Sequence, residues 1–152
     1  MVDTLTQQRD QIRASIKQQR QALTELQLQT AASSLLQHCK PILKNVKSIA
    51  GYQAMSGEIP LDAIFDYCHA QNIITLLPIM RGQSLMFAPF NPETRFVTKR
   101  YGIQEPDVAE SAWLTPDSLE LVFVPLVAFD DTCNRIGTVS YTHLTLPTNR
   151  EV

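Results

Sequence analysis

Four cations fall on one side of the first twenty residues. Arg9 and Arg13 stand four apart, and Lys17 and Arg20 continue the same side at the spacing of neighbours on a helix surface. Such a face can hold polyphosphate oxygens through charge-assisted hydrogen bonds, and it can equally be an ordinary solvated helix face. A second candidate is Glu58, which follows the apolar run Ser48 to Met55 and precedes Pro60, a residue suited to the first turn of a helix. That order puts a carboxylate at the carboxyl end of a strand, where open α/β sheets bind ligands; a carboxylate near a helix N-terminus also has a purely structural use. Other pairings fail on geometry. Cys68 with His69, and His38 with Cys39, are sequence neighbours, and neighbours on a helix point about 100° apart. The five glycines at 51, 57, 82, 102 and 137 leave no GxG and no GxxxxGKS/T, which excludes a phosphate loop of the Walker or dinucleotide type.

The elements that must carry these residues are readable from periodicity. Residues 4 to 23 predict a helix with Ile12, Ile16 and Leu23 as a stripe laid on a core. Thr24 with Gln27 forms a capping box, so a second helix is expected from about Glu25 to Lys44, burying Leu28, Ala32, Leu35, Cys39 and Ile42. Ser48 to Met55 reads as a strand. A third helix opened by Pro60 carries Leu61, Ile64, Phe65 and Cys68, and Ile73 to Met80 is dense enough for a strand buried on both faces. Strand, helix, strand is a crossover unit, and Ser84 to Phe90 follows as a hairpin partner after Arg81 and Gly82. The span from Tyr101 to Asp131 holds seven acidic residues and no Lys or Arg, the composition of a solvated loop. Inside it, Leu121 to Phe129 is the most apolar strand and is expected near the centre of the sheet. The class is α/β.

Composition narrows the partners. The chain has 152 residues, 13 Lys+Arg against 15 Asp+Glu for a net charge of −2, and 44% hydrophobic residues, which suits one globular domain. It lacks the positive excess of a general nucleic-acid or membrane-surface binder, so the expected partner is a small molecule or a protein. The apolar run Leu121 to Phe129, interrupted by Pro125, is far short of a membrane span of about 20 residues, and the start MVDTLTQQRDQ has no secretory pattern. Three cysteines without CxxC spacing argue against a disulfide framework or zinc knuckle, and a cytoplasmic setting is expected.

Several segments together resemble one family. IRASIKQQRQALT (Ile12 to Thr24), GYQAMSGEIP (Gly51 to Pro60), LLP (Leu76 to Pro78), YGIQEP (Tyr101 to Pro106) and LVFVPLVAFDDTCNRIG (Leu121 to Gly137) are similar, in order and spacing, to 5-formyltetrahydrofolate cyclo-ligases, also called methenyltetrahydrofolate synthetases. The resemblance covers about residues 8 to 138, and VPLVAFD followed by NRIG after GIQEP is its most specific part. It implies a three-layer α/β fold around a mainly parallel sheet flanked by helices. It also implies a reaction in which ATP with Mg²⁺ converts 5-formyltetrahydrofolate into 5,10-methenyltetrahydrofolate, with a monomeric, cytoplasmic enzyme and no nucleic-acid or membrane partner. Such a reaction demands positioning and charge neutralisation of a phosphoryl group more than a protein nucleophile.

By the same resemblance Arg9 occupies a position where the family usually has Lys, and Arg13 falls on a nucleotide-binding Arg. Glu58 falls on the carboxylate that binds folate, Gln53 on a substrate-pocket position, and Arg135, Ile136 and Gly137 begin the stretch that wraps the nucleotide phosphates. There the chain departs from the pattern. The family continues with a GxGYYDR-like segment whose Asp helps bind Mg²⁺, whereas Thr138 is followed here by VSYTHLTLPTNREV, which carries none of those groups. The expectation is therefore a single incomplete domain over residues 1–138, its C-terminal part missing, a non-native tail over 139–152, and little or no turnover by this chain. Two other readings remain at this point: a non-catalytic folate- or nucleotide-binding module of the same fold, and a helical interaction protein acting through its first 44 residues.

Overall fold

The computed structural model describes residues 4–99 and 102–137. Two long helices come first, α1 (Thr4–Gln21) and α2 (Glu25–Leu43), then β1 (Ser48–Ala50), α3 (Asp62–Ala70), β2 (Ile74–Arg81) and β3 (Ser84–Phe90). They are followed by β4 (Phe96–Thr98), β5 (Gln104–Pro106), β6 (Leu121–Val122), β7 (Leu126–Phe129) and β8 (Arg135–Gly137). The main sheet has the order β3-β2-β1-β6; β1 runs parallel to both β2 and β6, and β3 closes one side as an antiparallel hairpin with β2. β4 pairs with β5 and β7 with β8, each as a separate antiparallel pair. Among the described residues, no helix is long and apolar enough to cross a membrane.

Alternation along the central strands builds two cores. On one face Ile49 and Leu77 join Leu43, Leu61, Ile64, Phe65, Cys68 and Ile73 beneath α2 and α3. On the other face Ala50 and Leu76 join Phe87, with Leu114 and Leu119 packed on from the region of two 3₁₀ turns, Glu110–Ala112 and Pro116–Ser118. Residues facing alternately up and down must both be apolar when both faces are covered, which is why β2 reads as a continuous apolar run. Each fully buried Leu or Ile contributes about 1.5–3 kcal/mol of transfer free energy.

Local signals were reliable guides. The Thr24 hydroxyl accepts from Gln27 N–H at 3.2 Å while Gln27 Oε1 accepts from Thr24 N–H at 2.9 Å, the reciprocal capping box that starts α2. The βαβ unit and the β2–β3 hairpin form as the periodicity predicts.

Four expectations need correction. The strand expected over Ser48 to Met55 is only three residues long, and its remainder is the loop that carries Glu58. Pro60 lies just before α3, because Leu61 is the N-cap whose carbonyl accepts from both Ile64 and Phe65. In α2 the residue fully buried at the C-terminal end is Leu43, and Ile42 is turned outward. Most consequentially, Leu121 to Phe129 is neither one strand nor central. Phe123 N–H still bonds to Ala50 O at 2.8 Å, but Pro125 has no N–H to offer a ladder. The chain therefore leaves the sheet, with β6 beside β1 and β7 starting the hairpin with β8.

Candidate functional site

β1 and β6 are parallel, so their carboxyl ends open on the same edge of the sheet. The loop from Gly51 to Leu61 leaves β1 there, and the β7–β8 hairpin follows β6 on the same side. α1 packs against β7, and its last turn meets the β1 loop. Three segments distant in sequence thus gather where open α/β sheets hold ligands.

The face that α1 turns to the protein is cationic. Its half-buried residues are Arg13, Ile16 and Arg20, at helical spacing, and no residue of the helix is fully buried. The expected apolar stripe does not reach the core: Ile12 and Leu23 are 45% and 42% exposed. The inward direction lies between the aliphatic stripe and the cation cluster, so Ile16 is covered and Ile12 and Leu23 lie off the contact. Arg13 pairs with Asp10 at 2.9 Å, and its Nε is buried without a hydrogen-bond partner. A buried unmet donor on a guanidinium costs free energy that an oxyanion would recover. Arg9 is exposed and, among the described residues, makes no ion pair.

Glu58 is half-buried on the β1 loop. Its Oε2 accepts from Met55 N–H at 2.9 Å, while Met55 O accepts from Glu58 N–H at 2.9 Å, a closed turn that fixes the carboxylate. It lines a cleft of about 380 Å³ together with Arg20, Gly57 and Met55. Beside it the Tyr52 hydroxyl donates to Ile59 O at 3.0 Å. Burial raises the Tyr52 phenol above its ordinary pKa; the Glu58 carboxylate adds to the rise and the Arg20 guanidinium opposes it. Gln53 is exposed and lies outside the cleft lining.

Arg135, Ile136 and Gly137 form β8, with Arg135 exposed and the other two half-buried. The turn before them is tightly specified. Asp130 Oδ1 accepts from Thr132 N–H at 3.0 Å, Thr132 Oγ1 at 2.8 Å and Asn134 N–H at 2.9 Å, and Oδ2 accepts from Asn134 Nδ2 at 2.9 Å. These bonds, those from Asn134 foremost, lower the Asp130 carboxyl to about 2. Asp130 is thereby committed to shaping its own turn. Among the described residues no group of three or more His, Cys, Asp or Glu could hold a metal.

A larger cavity of about 690 Å³ opens at the other end of the sheet, beside His69, Thr75 and Asn91. It lies at the amino end of the parallel strands, so size alone does not mark the site. There Thr75 Oγ1 donates to Phe90 O at 2.8 Å and therefore accepts from His69 Nε2 at 2.7 Å. Cys68 points into the core instead, where burial pushes its thiol up to about 11, so the two neighbours share no chemistry.

Sequence reasoning missed the place of Tyr52 and gave Arg20 only a share in a cationic face. It also read the acidic span after Tyr101 as solvated loop, whereas Glu105 is 7% exposed in β5, with Oε1 3.4 Å from Met80 N. The signal available for Arg20 was its helical spacing from Arg13; nothing local announced the burial of Glu105. The stretch after Thr138, where Mg²⁺ ligation and the non-native tail were at issue, lies outside the described residues.

Helix cations, a strand-end carboxylate and a hairpin thus collect at the carboxyl end of the mainly parallel sheet of an α/β protein, the end where proteins of this class build ligand sites from loops. The sequence model of the 5-formyltetrahydrofolate cyclo-ligase family matches residues 5–140. A 5-formyltetrahydrofolate cyclo-ligase of Haemophilus influenzae is 35% identical over 137 residues, covering 87% of this chain and 73% of that relative. One of Escherichia coli K12 is 27% identical, covering 80% and 70%. The NMR structure of Aquifex aeolicus 5,10-methenyltetrahydrofolate synthetase superposes with a TM-score of 0.75 at 24% identity, covering 86% of this chain. The chain spans 66% of the length of that structure, a little under two thirds. A Mycoplasma pneumoniae 5,10-methenyltetrahydrofolate synthetase has a TM-score of 0.61 at 19% identity and shares the fold. The chain belongs to the 5-formyltetrahydrofolate cyclo-ligase family, a family of ligases.

Proposed function

We propose that the protein this chain represents closes 5-formyltetrahydrofolate to 5,10-methenyltetrahydrofolate at the expense of ATP, releasing ADP and phosphate. Family membership supports the reaction class. The observation that carries the site is that α1 touches both half-sites, packing on β7 of the hairpin and bringing Arg20 to the Glu58 loop. In this reading Arg9 and Arg13, with Arg135, Ile136 and Gly137, hold the nucleotide phosphates. The unmet Nε of Arg13 and the cationic side of α1 fit a polyanion. Glu58, pinned by Met55 N–H, accepts from an N–H of the folate, with Gln53 at the outer margin of the substrate.

The formyl oxygen attacks the γ-phosphoryl group and ADP departs; N10 then closes on the activated carbon and gives up its proton to solvent, and the C–O bond breaks to release phosphate. The chain's own residues neutralise and orient in these steps, and no protein nucleophile is needed. Mg²⁺ is part of the family reaction, but the described residues hold no cluster of three or more His, Cys, Asp or Glu for it. The GxGYYDR-like segment is absent from the sequence after Thr138, so the 152-residue chain is expected to turn over slowly or not at all. The intact protein is taken as monomeric and cytoplasmic.

A coupled assay following methenyltetrahydrofolate absorbance tests both parts. ATP-dependent turnover is expected once a Gly-rich segment ending in the family's Asp replaces residues 139–152, and near-background turnover without it. Fast turnover by the chain as it stands overturns the second part, and ATP-independent binding of folate without turnover in the restored form overturns the first.

A further inference from the structure

Arg20 is the least explained charge at the site. It stands in the last turn of α1, half-buried, and among the described residues it makes no ion pair. Its backbone is pressed against the loop that carries Glu58. Gly57 has φ +79°, and a Cβ added there would lie 2.8 Å from Arg20 Cβ and 3.1 Å from its carbonyl carbon and oxygen. Only a glycine permits both the left-handed backbone and so close an approach. The approach brings the guanidinium into the same cleft of about 380 Å³ as Glu58, without a salt bridge between them.

Glu58 has one oxygen occupied by Met55 N–H; its other oxygen has no partner among the described residues. The cleft therefore offers a fixed acceptor on one side and, on the other, a guanidinium whose five N–H donors have no partner among the described residues. Two opposite charges held in one cleft yet not bonded to each other match a ligand that carries both a donor and an oxyanion. The field of Arg20 also reaches the Tyr52 phenol, where it opposes that of Glu58, so both charges act on the same small volume.

We infer that Arg20 is a specificity-determining residue that binds an oxyanion of a ligand seated beside Glu58 in this cleft. This rests on the reading of the Glu58 cleft as part of the substrate site. The oxyanion is either a carboxylate of the folate or a phosphate of the nucleotide reaching in from the Arg13 side, and the two sources are separable.

The test is calorimetric titration of the full chain as wild type, Arg20→Met and Arg20→Lys, with folding checked by circular dichroism. One arm uses 5-formyltetrahydrofolate and the other a non-hydrolysable ATP analogue. Loss of a charge-assisted contact predicts about tenfold or greater weakening for one ligand in Arg20→Met, with partial recovery in Arg20→Lys. Weakening in the folate arm alone assigns a carboxylate, and in the nucleotide arm alone a phosphate. Unchanged affinity for both ligands overturns the inference, and so does equal weakening of both, which signals a displaced loop. Glu58→Gln separates this from the wider reading. If Glu58→Gln weakens folate binding and Arg20→Met does not, the role of Arg20 fails while the site stands. If a folded wild-type chain binds neither ligand, both fail together.

Discussion

α1 and α3 are opposite solutions to being a helix. α3 has nine residues and buries Ile64, Phe65 and Cys68 between β2 and α2; α1 has eighteen and buries none completely. Burial per residue, not length, decides what a helix contributes to stability. α3 and its strands form the part that must be right for the chain to fold. α1 instead packs on β7 and on the Glu58 loop with Arg13, Ile16 and Arg20 as its half-buried residues, and Arg13 Nε is buried without a hydrogen-bond partner. A region held by few apolar contacts is free to spend its residues on ligand charge.

Mutations should separate the two regions sharply. Phe65→Ala removes a ring that meets Phe90 edge-on at 4.9 Å, and a loss of about 3–5 kcal/mol is expected in denaturant unfolding. A loss under about 1 kcal/mol would mean that α3 does not anchor the core. Gly57→Ala puts a Cβ against Arg20 at a left-handed φ, and a cost of about 1–3 kcal/mol should appear together with weakened docking of α1. If hydrogen exchange of α1 is unchanged in that variant, the two elements are not coupled. Thr24→Ala, between the helices, deletes the capping box and should cost about 1 kcal/mol. Ile12→Ala on the outer side of α1 should change stability by less than about 0.5 kcal/mol, and a larger value would place α1 among the core elements.

The hairpin beside α1 adds a pH test. The Asp130 carboxyl is lowered to about 2 by its bonds from Asn134 and Thr132, below the ordinary value for Asp of about 3.9. A depressed carboxyl stabilises the fold above its unfolded pKa and loses that contribution as pH falls through the folded one. The turn should therefore hold above about pH 4 and loosen towards pH 2, while Asp130→Asn should flatten that dependence. Chemical shifts of Asn134 followed through acid titration would report it, and a midpoint near 4 would contradict the bond set.

The fold class was legible where the information is local. A capping box needs four adjacent residues, β2 declares two covered faces by an unbroken apolar run, and a βαβ unit follows from order alone. Misreadings came where a partner surface decides. Ile12, Ile16 and Leu23 do share a stripe, yet the surfaces α1 meets are β7 and the Glu58 loop, and they select the Arg13–Ile16–Arg20 side. Glu105 looked solvated because the span from Tyr101 to Asp131 holds seven acidic residues and no Lys or Arg, but β5 packs on β2 and β3 and takes it inside.

Pro125 marks the boundary between these two kinds of knowledge. Its presence in the apolar run was visible, and so was the missing N–H, which alone forbids a regular ladder at that point. Where the chain goes next was not visible. β6 stays beside β1 because Phe123 still reaches Ala50, and β7 turns away to pair with β8 and meet α1. The amino-acid order determines which residues can bond and which cannot, because those limits are covalent and local. Which of the permitted contacts is made depends on surfaces assembled from distant segments, and so the meeting of Arg20, Glu58 and Gly57 exists only in the folded molecule.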